Sequence, residues 1–372
     1  MARLIFVVNN SDFLVSHRMV LVRGAIAAGY DVHAIAPAGS GVTALNVAGV
    51  ETHEWSLDRK GQALASELGS VAALVRHYRR LAPDVVHHVT IKPVLYGSAA
   101  ARVVRRPAVV NAVSGFGYVF LAQGPVAELR RRAIAAAYRV ALSTPRSVCV
   151  LQNDDDENDL RRFGALGSAD VVKIRGSGVD LSRFGSSPEP VGPPVVMLPA
   201  RLLKDKGVVE FVQAARLVKA AVPDVRFVLA GGLDAGNPAA VTEAEVRRWV
   251  TEGVVEWWGH QPDMSAAFAS ATLVCLPSYR EGMPKALLEA AAVGRALITC
   301  DAPGCRDAVD GGRAGVLVPV KDAGAIATAV QRLLLRPDER LRLASAARSL
   351  AVERFDEQLV LRAHLNLYER LR

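Results

Sequence analysis

Residues 273–290 run Leu273-Val274-Cys275-Leu276-Pro277-Ser278-Tyr279-Arg280-Glu281-Gly282-Met283-Pro284-Lys285-Ala286-Leu287-Leu288-Glu289-Ala290. The apolar run up to Pro277 has the length and composition of a strand buried in a parallel sheet. A short loop with glycine and proline follows, and Pro284 stands where proline favours the first turn of a helix. The stretch therefore predicts a strand, a loop at its carboxyl end, and a helix.

The same alternation of apolar runs and helical patterns continues through the rest of the chain. It indicates parallel sheets joined by crossover helices. Predicted strands lie at 4–8, 32–36, 85–89, 108–113, 147–151 and 171–174 in the first half, and at 195–199, 226–230, 254–258, 273–277, 296–299 and 315–318 in the second. We therefore expect an α/β protein of two doubly wound, Rossmann-like domains facing a central cleft, where such folds bind ligands.

A segment rich in glycine, serine and proline separates the two series of strands. Residues 185–194 are expected to link a first domain, residues 1–184, to a second, residues 195–354. Residues 355–372 are expected to form a C-terminal helix that packs back on the first domain. The length of 372 residues suits two domains of this size.

The composition, with 51% hydrophobic and 22% charged residues, is that of a globular protein. No stretch approaches the roughly 18 uncharged apolar residues of a membrane-spanning helix, and the apolar start is too short for a signal peptide. The four cysteines are scattered, without the spacing of a metal site or of a disulfide framework. These features predict a cytoplasmic protein with reduced thiols and no structural zinc.

The net charge of +8 is concentrated in the first half of the chain. Residues 1–180 hold 21 Lys+Arg against 15 Asp+Glu, a net +6, and residues 181–372 hold 24 against 22. Arginines cluster at 76–80, 102–106, 130–132 and 161–162. Such a surface suits an anionic membrane or a phosphorylated acceptor, or is simply a solvated face. Because aromatic residues do not interleave with the basic runs, we expect no nucleic-acid partner.

The loop and helix of residues 277–290 have the chemistry of an anion site. Backbone N–H groups of Gly282, Met283 and Lys285 are expected to face the cleft at the positive end of the helix dipole. Glu281 and Glu289 can accept hydrogen bonds from hydroxyl groups. A lone carboxylate such as Glu289, within an apolar helix, needs a partner when it is buried.

A second polar loop directly follows the first strand of the second domain. Arg201 and Lys206 frame this loop in Pro199-Ala200-Arg201-Leu202-Leu203-Lys204-Asp205-Lys206-Gly207. A guanidinium fork and an ammonium ion that converge there suit a diphosphate, whose charge must be neutralised when it departs. The plain alternative is an exposed basic loop.

Two other motifs carry weaker signals. Residues 39–44 match the G-x-G-x-x-[GA] pattern of dinucleotide-binding loops, but they follow the second strand instead of the first. The acidic run at 154–159 lies between a strand and a helix, where N-terminal capping is a better interpretation than a metal site.

Together these motifs resemble the retaining GT-B glycosyltransferases of glycosyltransferase family 4. Arg201, Lys206, Glu281 and Glu289 fall on the family's arginine–lysine loop and Glu-x7-Glu segment. Further matches are Gly259-His260, residues 301–307 and residues 176–180. The resemblance implies a metal-independent enzyme without a cofactor.

The resemblance also implies roles for individual residues. Arg201 and Lys206 would hold the nucleotide diphosphate, Glu281 would contact the donor sugar, and Glu289 would bind the ribose. The first two and Glu281 are thus the expected catalytic residues. The expected donor-binding residues are Gly282, Met283, Pro284, Lys285, Glu289 and His260.

The first half resembles the subgroup that extends undecaprenyl-diphosphate-linked sugars for bacterial surface glycans. The residues that carry this resemblance lie at 16–18, 91–97, 114–118 and 152–156, and they make His17, Arg18, Lys92 and Ser114 the acceptor-side candidates. Ser114 stands where many members have a histidine that touches the donor sugar.

The expected reaction moves a hexose or N-acetylhexosamine from a UDP-sugar to a lipid-linked saccharide at the inner face of the cell membrane. A UDP-sugar epimerase of GT-B fold and a non-catalytic, membrane-associated scaffold are the alternatives.

Overall fold

The structure, a computed structural model, describes residues 1–57, 64–113 and 124–372. The chain forms two compact units. The first contains Met1–Ser177 together with Gln358–Arg372, and the second contains Gly178–Glu357. The segment 185–194, expected as a linker, thus lies within the second unit.

The first unit is built around a seven-stranded parallel sheet with the strand order β3-β2-β1-β4-β5-β6-β7. Its strands are β1 (Arg3–Val8), β2 (Asp31–Ala36), β3 (Glu51–Glu54), β4 (Val85–Val89), β5 (Ala108–Ala112), β6 (Ser147–Leu151) and β7 (Asp170–Lys173). The helices between them are α1 (Ser11–Ala27), α2 (Gly41–Val47), α3 (Leu64–Leu81), α4 (Ile91–Val104), α5 (Pro125–Leu142) and α6 (Asp154–Arg162).

The second unit has a six-stranded parallel sheet with the order β10-β9-β8-β11-β12-β13. Its strands are β8 (Val195–Leu198), β9 (Arg226–Leu229), β10 (Glu256–Trp257), β11 (Leu273–Leu276), β12 (Ala296–Cys300) and β13 (Val316–Val318). Its helices are α7 (Val208–Ala221), α8 (Glu243–Thr251), α9 (Met264–Ala269), α10 (Lys285–Val293), α11 (Cys305–Ala308), α12 (Ala323–Leu335) and α13 (Pro337–Arg354). The prediction of two doubly wound parallel sheets is confirmed.

The last helix, α14 (Glu357–Leu371), packs in the core of the first unit. The hydroxyl group of Tyr368 lies 2.6 Å from Nδ1 of His87 on β4. Gly24 on α1 leaves room for the side chain of Leu361, which would lie 2.3 Å from a β-carbon at that position. The C-terminal helix therefore belongs structurally to the unit that the chain began with.

The structure settles three local features of the first unit. Strand β3 was not predicted because the residues of Glu51–Glu54 are polar. Residues 39–44 lead into α2, and Gly39 and Gly41 have no space for a β-carbon because Ser11 at the start of α1 lies within 2.6 Å. These glycines thus serve close helix packing. The acidic run at 154–159 forms the start of α6, but the N-cap is the preceding Asn153, which accepts a hydrogen bond from the Asp156 amide at 2.7 Å.

The core of the first unit contains buried polar side chains on β4. His88 lies 2.8 Å from the hydroxyl group of Tyr78 and 2.8 Å from Oδ1 of Asn111. Burial lowers the pKa of His88 to about 4, so the ring is neutral at neutral pH.

Within the described residues, no helix combines the length and hydropathy needed to cross a bilayer.

Candidate active site

The centre of the candidate site is an ion pair between two loops of the second unit. Strands β8 and β11 are neighbours, so the loops that follow them meet at one edge of the sheet. A short 3-10 turn ends at Lys206 on the first loop, and its Nζ lies 2.5 Å from Oε1 of Glu281 on the second. The two side chains are only 17% and 16% exposed. Burial lowers the pKa of Lys206, but the charge and hydrogen bond of Glu281 outweigh it and raise the pKa above its usual value.

Backbone contacts hold the same two loops together. The amide of Tyr279 donates to the carbonyl oxygen of Asp205 at 2.9 Å. Gly207 has a φ of +73°, and a β-carbon there would lie 2.2 Å from the carbonyl oxygen of Pro277. Only glycine allows this approach, so the backbones of the two loops that carry the ion pair lie in close contact.

Arg201 lies on the same loop as Lys206 but is more accessible. Its guanidinium Nη1 is 2.6 Å from Oδ2 of Asp234, and its side chain is 62% exposed. Asp234 follows β9, the strand next to β8, in the loop that begins Gly231-Gly232. No motif in the sequence points to Asp234. The glycine pair after a predicted strand was the signal that could have identified this loop.

Glu289 is among the buried residues of α10 and is 8% exposed. Nζ of Lys285, one helical turn earlier, lies 3.3 Å from its Oε1. Burial raises the pKa of Glu289, and the charges of Lys285 and Arg183 act against that rise. The partner that its apolar surroundings require is therefore on the same helix.

The remaining donor-side candidates lie in the same unit. Pro284 is the residue before the first turn of α10, and Met283 is 8% exposed within the core. Gly282 lies on the loop between Glu281 and α10. His260 is exposed after β10, with its Cβ 4.0 Å from the position of a β-carbon on Gly232. Among these candidates, the structure brings Lys206 and Glu281 into contact, whereas Arg201 pairs with Asp234 and Glu289 pairs with Lys285.

The acceptor-side candidates belong to the first unit and do not share one environment. His17 lies 2.8 Å from Oγ of Ser16, and Lys92 lies 3.0 Å from Oε1 of Glu67. Arg18 is buried and donates to the carbonyl oxygen of Gly176 at 3.2 Å. Burial lowers the pKa of Arg18 to about 10. Ser114 lies outside the described residues, as do residues 115–118.

A different family model matches a large part of each unit. Residues 3–150 match the family described as "Glycosyl transferase 4-like". Residues 193–336 match the family described as "Glycosyl transferases group 1".

Two curated relatives resemble most of the chain. The N,N'-diacetylbacillosaminyl-diphospho-undecaprenol alpha-1,3-N-acetylgalactosaminyltransferase of Campylobacter jejuni is 27% identical, over 80% of this chain and 80% of the relative. The UDP-Gal:alpha-D-GlcNAc-diphosphoundecaprenol alpha-1,3-galactosyltransferase of Escherichia coli is 25% identical, over 73% of this chain and 71% of the relative.

Solved structures share the fold at low sequence identity. The Anabaena protein HepE, in complex with UDP and glucose, superposes with a TM-score of 0.81 at 18% identity, over 100% of both chains. The sucrose-phosphate synthase of Thermosynechococcus elongatus gives a TM-score of 0.80 at 18% identity, over 99% of both chains. The GT-B architecture expected from the sequence is confirmed.

The backbone next to Arg201 lies close to the loop after β9, and two adjacent glycines in that loop test this contact. A β-carbon on Gly231 would lie 1.7 Å from the carbonyl oxygen of Ala200, whereas one on Gly232 meets no atom closer than 4.0 Å. Gly231→Ala should therefore lower the unfolding temperature by roughly 3–10 °C, as overpacking does. Gly232→Ala is the matched control and should change it little. Differential scanning calorimetry of both variants measures this, and equal unfolding temperatures would show that the two loops do not approach so closely.

Proposed function

Since this chain belongs to the glycosyltransferases, with a glycosyl transferase 4-like domain and a group 1 domain, we propose the following reaction. The enzyme transfers a sugar from a nucleotide-diphosphate donor, a UDP-hexose or UDP-N-acetylhexosamine, to a lipid-linked saccharide. The product is an intermediate of a bacterial surface glycan. The names of the Campylobacter and Escherichia relatives, both of which act on diphospho-undecaprenol sugars, support this class of acceptor.

The observation that carries the proposal is the pair of cations on one loop after β8. Arg201 and Lys206 are each held by a carboxylate, Asp234 and Glu281, at 2.6 and 2.5 Å. A diphosphate presents the same chemistry as those carboxylates, since it also accepts hydrogen bonds and carries negative charge. Donor binding would therefore exchange one anionic partner for another at a site already built for anions.

In the proposed reaction the bond between the anomeric carbon and the diphosphate oxygen breaks. An acceptor hydroxyl oxygen forms the new bond on the same face of the sugar, and the departing phosphate oxygen takes its proton. Arg201 and Lys206 stabilise the negative charge that develops on the leaving diphosphate. The protein contributes position and electrostatics, so the configuration at the anomeric carbon is retained without a covalent intermediate.

The two carboxylates have separate parts in this proposal. Glu281, released from Lys206 by the diphosphate, faces the donor sugar and its developing positive charge. Glu289 lies deeper, on α10, and accepts hydrogen bonds from the ribose hydroxyl groups. His260, Gly282, Met283, Pro284 and Lys285 complete the donor side.

The first unit is proposed to bind the acceptor and the inner face of the membrane. Along α4 and α5, apolar side chains stand in solvent beside arginines: Val103 is 56% exposed, Leu129 71% and Val140 61%. Arg130 and Arg132 are exposed on α5. Apolar side chains next to basic ones are the combination that an anionic bilayer attracts. We therefore propose a cytoplasmic enzyme that is peripheral to the membrane, with His17, Arg18, Lys92 and Ser114 as acceptor-side candidates.

Removal of either diphosphate cation tests the proposed reaction. Arg201→Ala and Lys206→Ala should each lower turnover at least about a hundredfold, as does the loss of a group that stabilises transition-state charge. Arg216→Ala is the control, because Arg216 forms an exposed ion pair with Glu252 elsewhere in the second unit. The assay measures UDP release from a panel of UDP-sugars with an undecaprenyl-diphosphate saccharide. Wild-type turnover in both variants would show that the diphosphate does not bind at this loop.

The same assay separates the alternative functions. Conversion of the UDP-sugar without acceptor would indicate an epimerase. Absence of any product with every donor and acceptor tried would favour a non-catalytic scaffold. UDP release that depends on acceptor, with the new linkage found in the lipid product, is the result that the proposal predicts.

Membrane contact is tested with vesicles of defined charge. Binding to vesicles containing anionic phospholipid should be strong at low salt and should fall as salt rises. The double variant Arg130→Ala/Arg132→Ala should weaken it by roughly ten- to thirtyfold. The matched control Arg216→Ala/Arg247→Ala, in the second unit, should bind as the wild type does. Equal binding of wild type and Arg130→Ala/Arg132→Ala, or equal affinity for uncharged vesicles, would contradict the proposal.

A further inference from the structure

A histidine pair lies on one face of the first unit's sheet, at its edge. The parallel register of β2 and β3 places His33 beside Glu51, and Ile35 beside His53. Because side chains alternate along a strand, Glu51 and His53 share one face with His33. The two histidines are buried, 4% and 9% exposed, while the carboxylate of Glu51 is accessible.

The three side chains point their ligand atoms at one another. Nδ1 of His33 lies 3.0 Å from Nε2 of His53. The carboxylate of Glu51 lies 3.7 Å from each of these nitrogens. A tetrahedral zinc ion with Zn–N bonds of 2.0–2.1 Å holds two nitrogens about 3.3 Å apart. The observed separations are within a few tenths of an ångström of such a site.

A carboxylate behind His33 sets the orientation of its ring. Nε2 of His33 lies 3.1 Å from Oδ1 of Asp31, which is also paired with Arg3 at 2.7 Å. Since the carboxylate attracts the proton of His33 to Nε2, Nδ1 presents its lone pair to the cluster. Metal-binding histidines carry this type of outer carboxylate.

Arg80 on α3 contacts the histidine cluster, and its positive charge disfavours a metal ion there. Nη2 of Arg80 lies 3.2 Å from Nδ1 of His53. A guanidinium only donates, so this contact places the proton of His53 on Nε2, toward His33. Arg80, His53 and His33 then form a chain of hydrogen bonds, and the far side of His33 contacts the carboxylate of Asp31. A metal ion would require Arg80, which is exposed, to turn away and His53 to move its proton to Nδ1.

We propose that His33, Glu51 and His53 bind one divalent transition-metal ion of the zinc class, with a fourth position open to water. Two imidazoles and one carboxylate form a ligand set that zinc accepts. The ion would tie the edge strand β3 to β2, and Arg80 would compete with it for His53. The expectation that the chain lacks zinc rested on its cysteines, and this cluster contains none.

The test uses the full-length chain, treated with a chelator, dialysed, and titrated with Zn²⁺ by calorimetry. One ion per chain should bind, and its binding should raise the unfolding temperature. Glu51→Gln, a change at an exposed side chain, should weaken the affinity at least about tenfold, since even outer-sphere losses cost that much. Arg80→Ala should tighten it by about tenfold, because a like charge is removed from the site.

Two further measurements keep the assignment specific. His53→Gln should abolish this binding, and its absorption spectrum with Co²⁺ should lose the bands of a tetrahedral site that the wild type shows. His260→Gln, in the second unit, should keep the wild-type zinc affinity. If the wild-type chain binds no zinc, or if Glu51→Gln and Arg80→Ala both leave its affinity unchanged, the cluster is a hydrogen-bond chain only and the proposal is overturned.

Discussion

The ion pair between Lys206 and Glu281 is the interaction on which the second unit's polar edge depends. Both side chains are largely withdrawn from water, and a buried charge that loses its partner destabilises a fold strongly. The pair therefore holds the loop after β8 against the loop after β11, and Gly207 lets the two backbones approach closely enough to form it. Both loops are fixed by the neighbouring strands from which they leave. The strand order of the sheet thus keeps the charges of Lys206 and Glu281 next to each other at the carboxyl ends of β8 and β11.

Arg201 also has a carboxylate partner, with which the proposed diphosphate would compete. Its contact with Asp234 is accessible to solvent, so exchange of this carboxylate for another anion costs little. The contact of Lys206 is less accessible, and its exchange for a diphosphate would release Glu281 into the proposed site. A diphosphate that replaces both carboxylates would therefore neutralise two cations and, in the same step, free a carboxylate for the sugar.

Much of this architecture could be predicted from the sequence, since patterns of apolar residues report burial. Helix α10 follows β11 and its loop, as the pattern of residues 273–290 predicts, and Lys285 is the partner that the buried Glu289 needs. Strand β3 escaped prediction because an edge strand of polar residues has no apolar run. Asp234 and the burial of Arg18 escaped it because both depend on contacts between distant parts of the chain, which no local pattern contains.

In the proposed donor complex, a diphosphate replaces Glu281 at Lys206 while Glu289 holds the ribose. Calorimetric titration with UDP of Glu281→Gln and Glu289→Gln, beside their turnover with the donor sugar, tests it most directly. Glu289→Gln should lower the affinity for UDP by about ten- to a hundredfold, the range expected for a lost charge-assisted hydrogen bond. Glu281→Gln should bind UDP as well as the wild type or more tightly, because Lys206 is then freed, yet turn over slowly. An equal loss of UDP affinity in both variants would show that Glu281 and Glu289 do not have these separate roles.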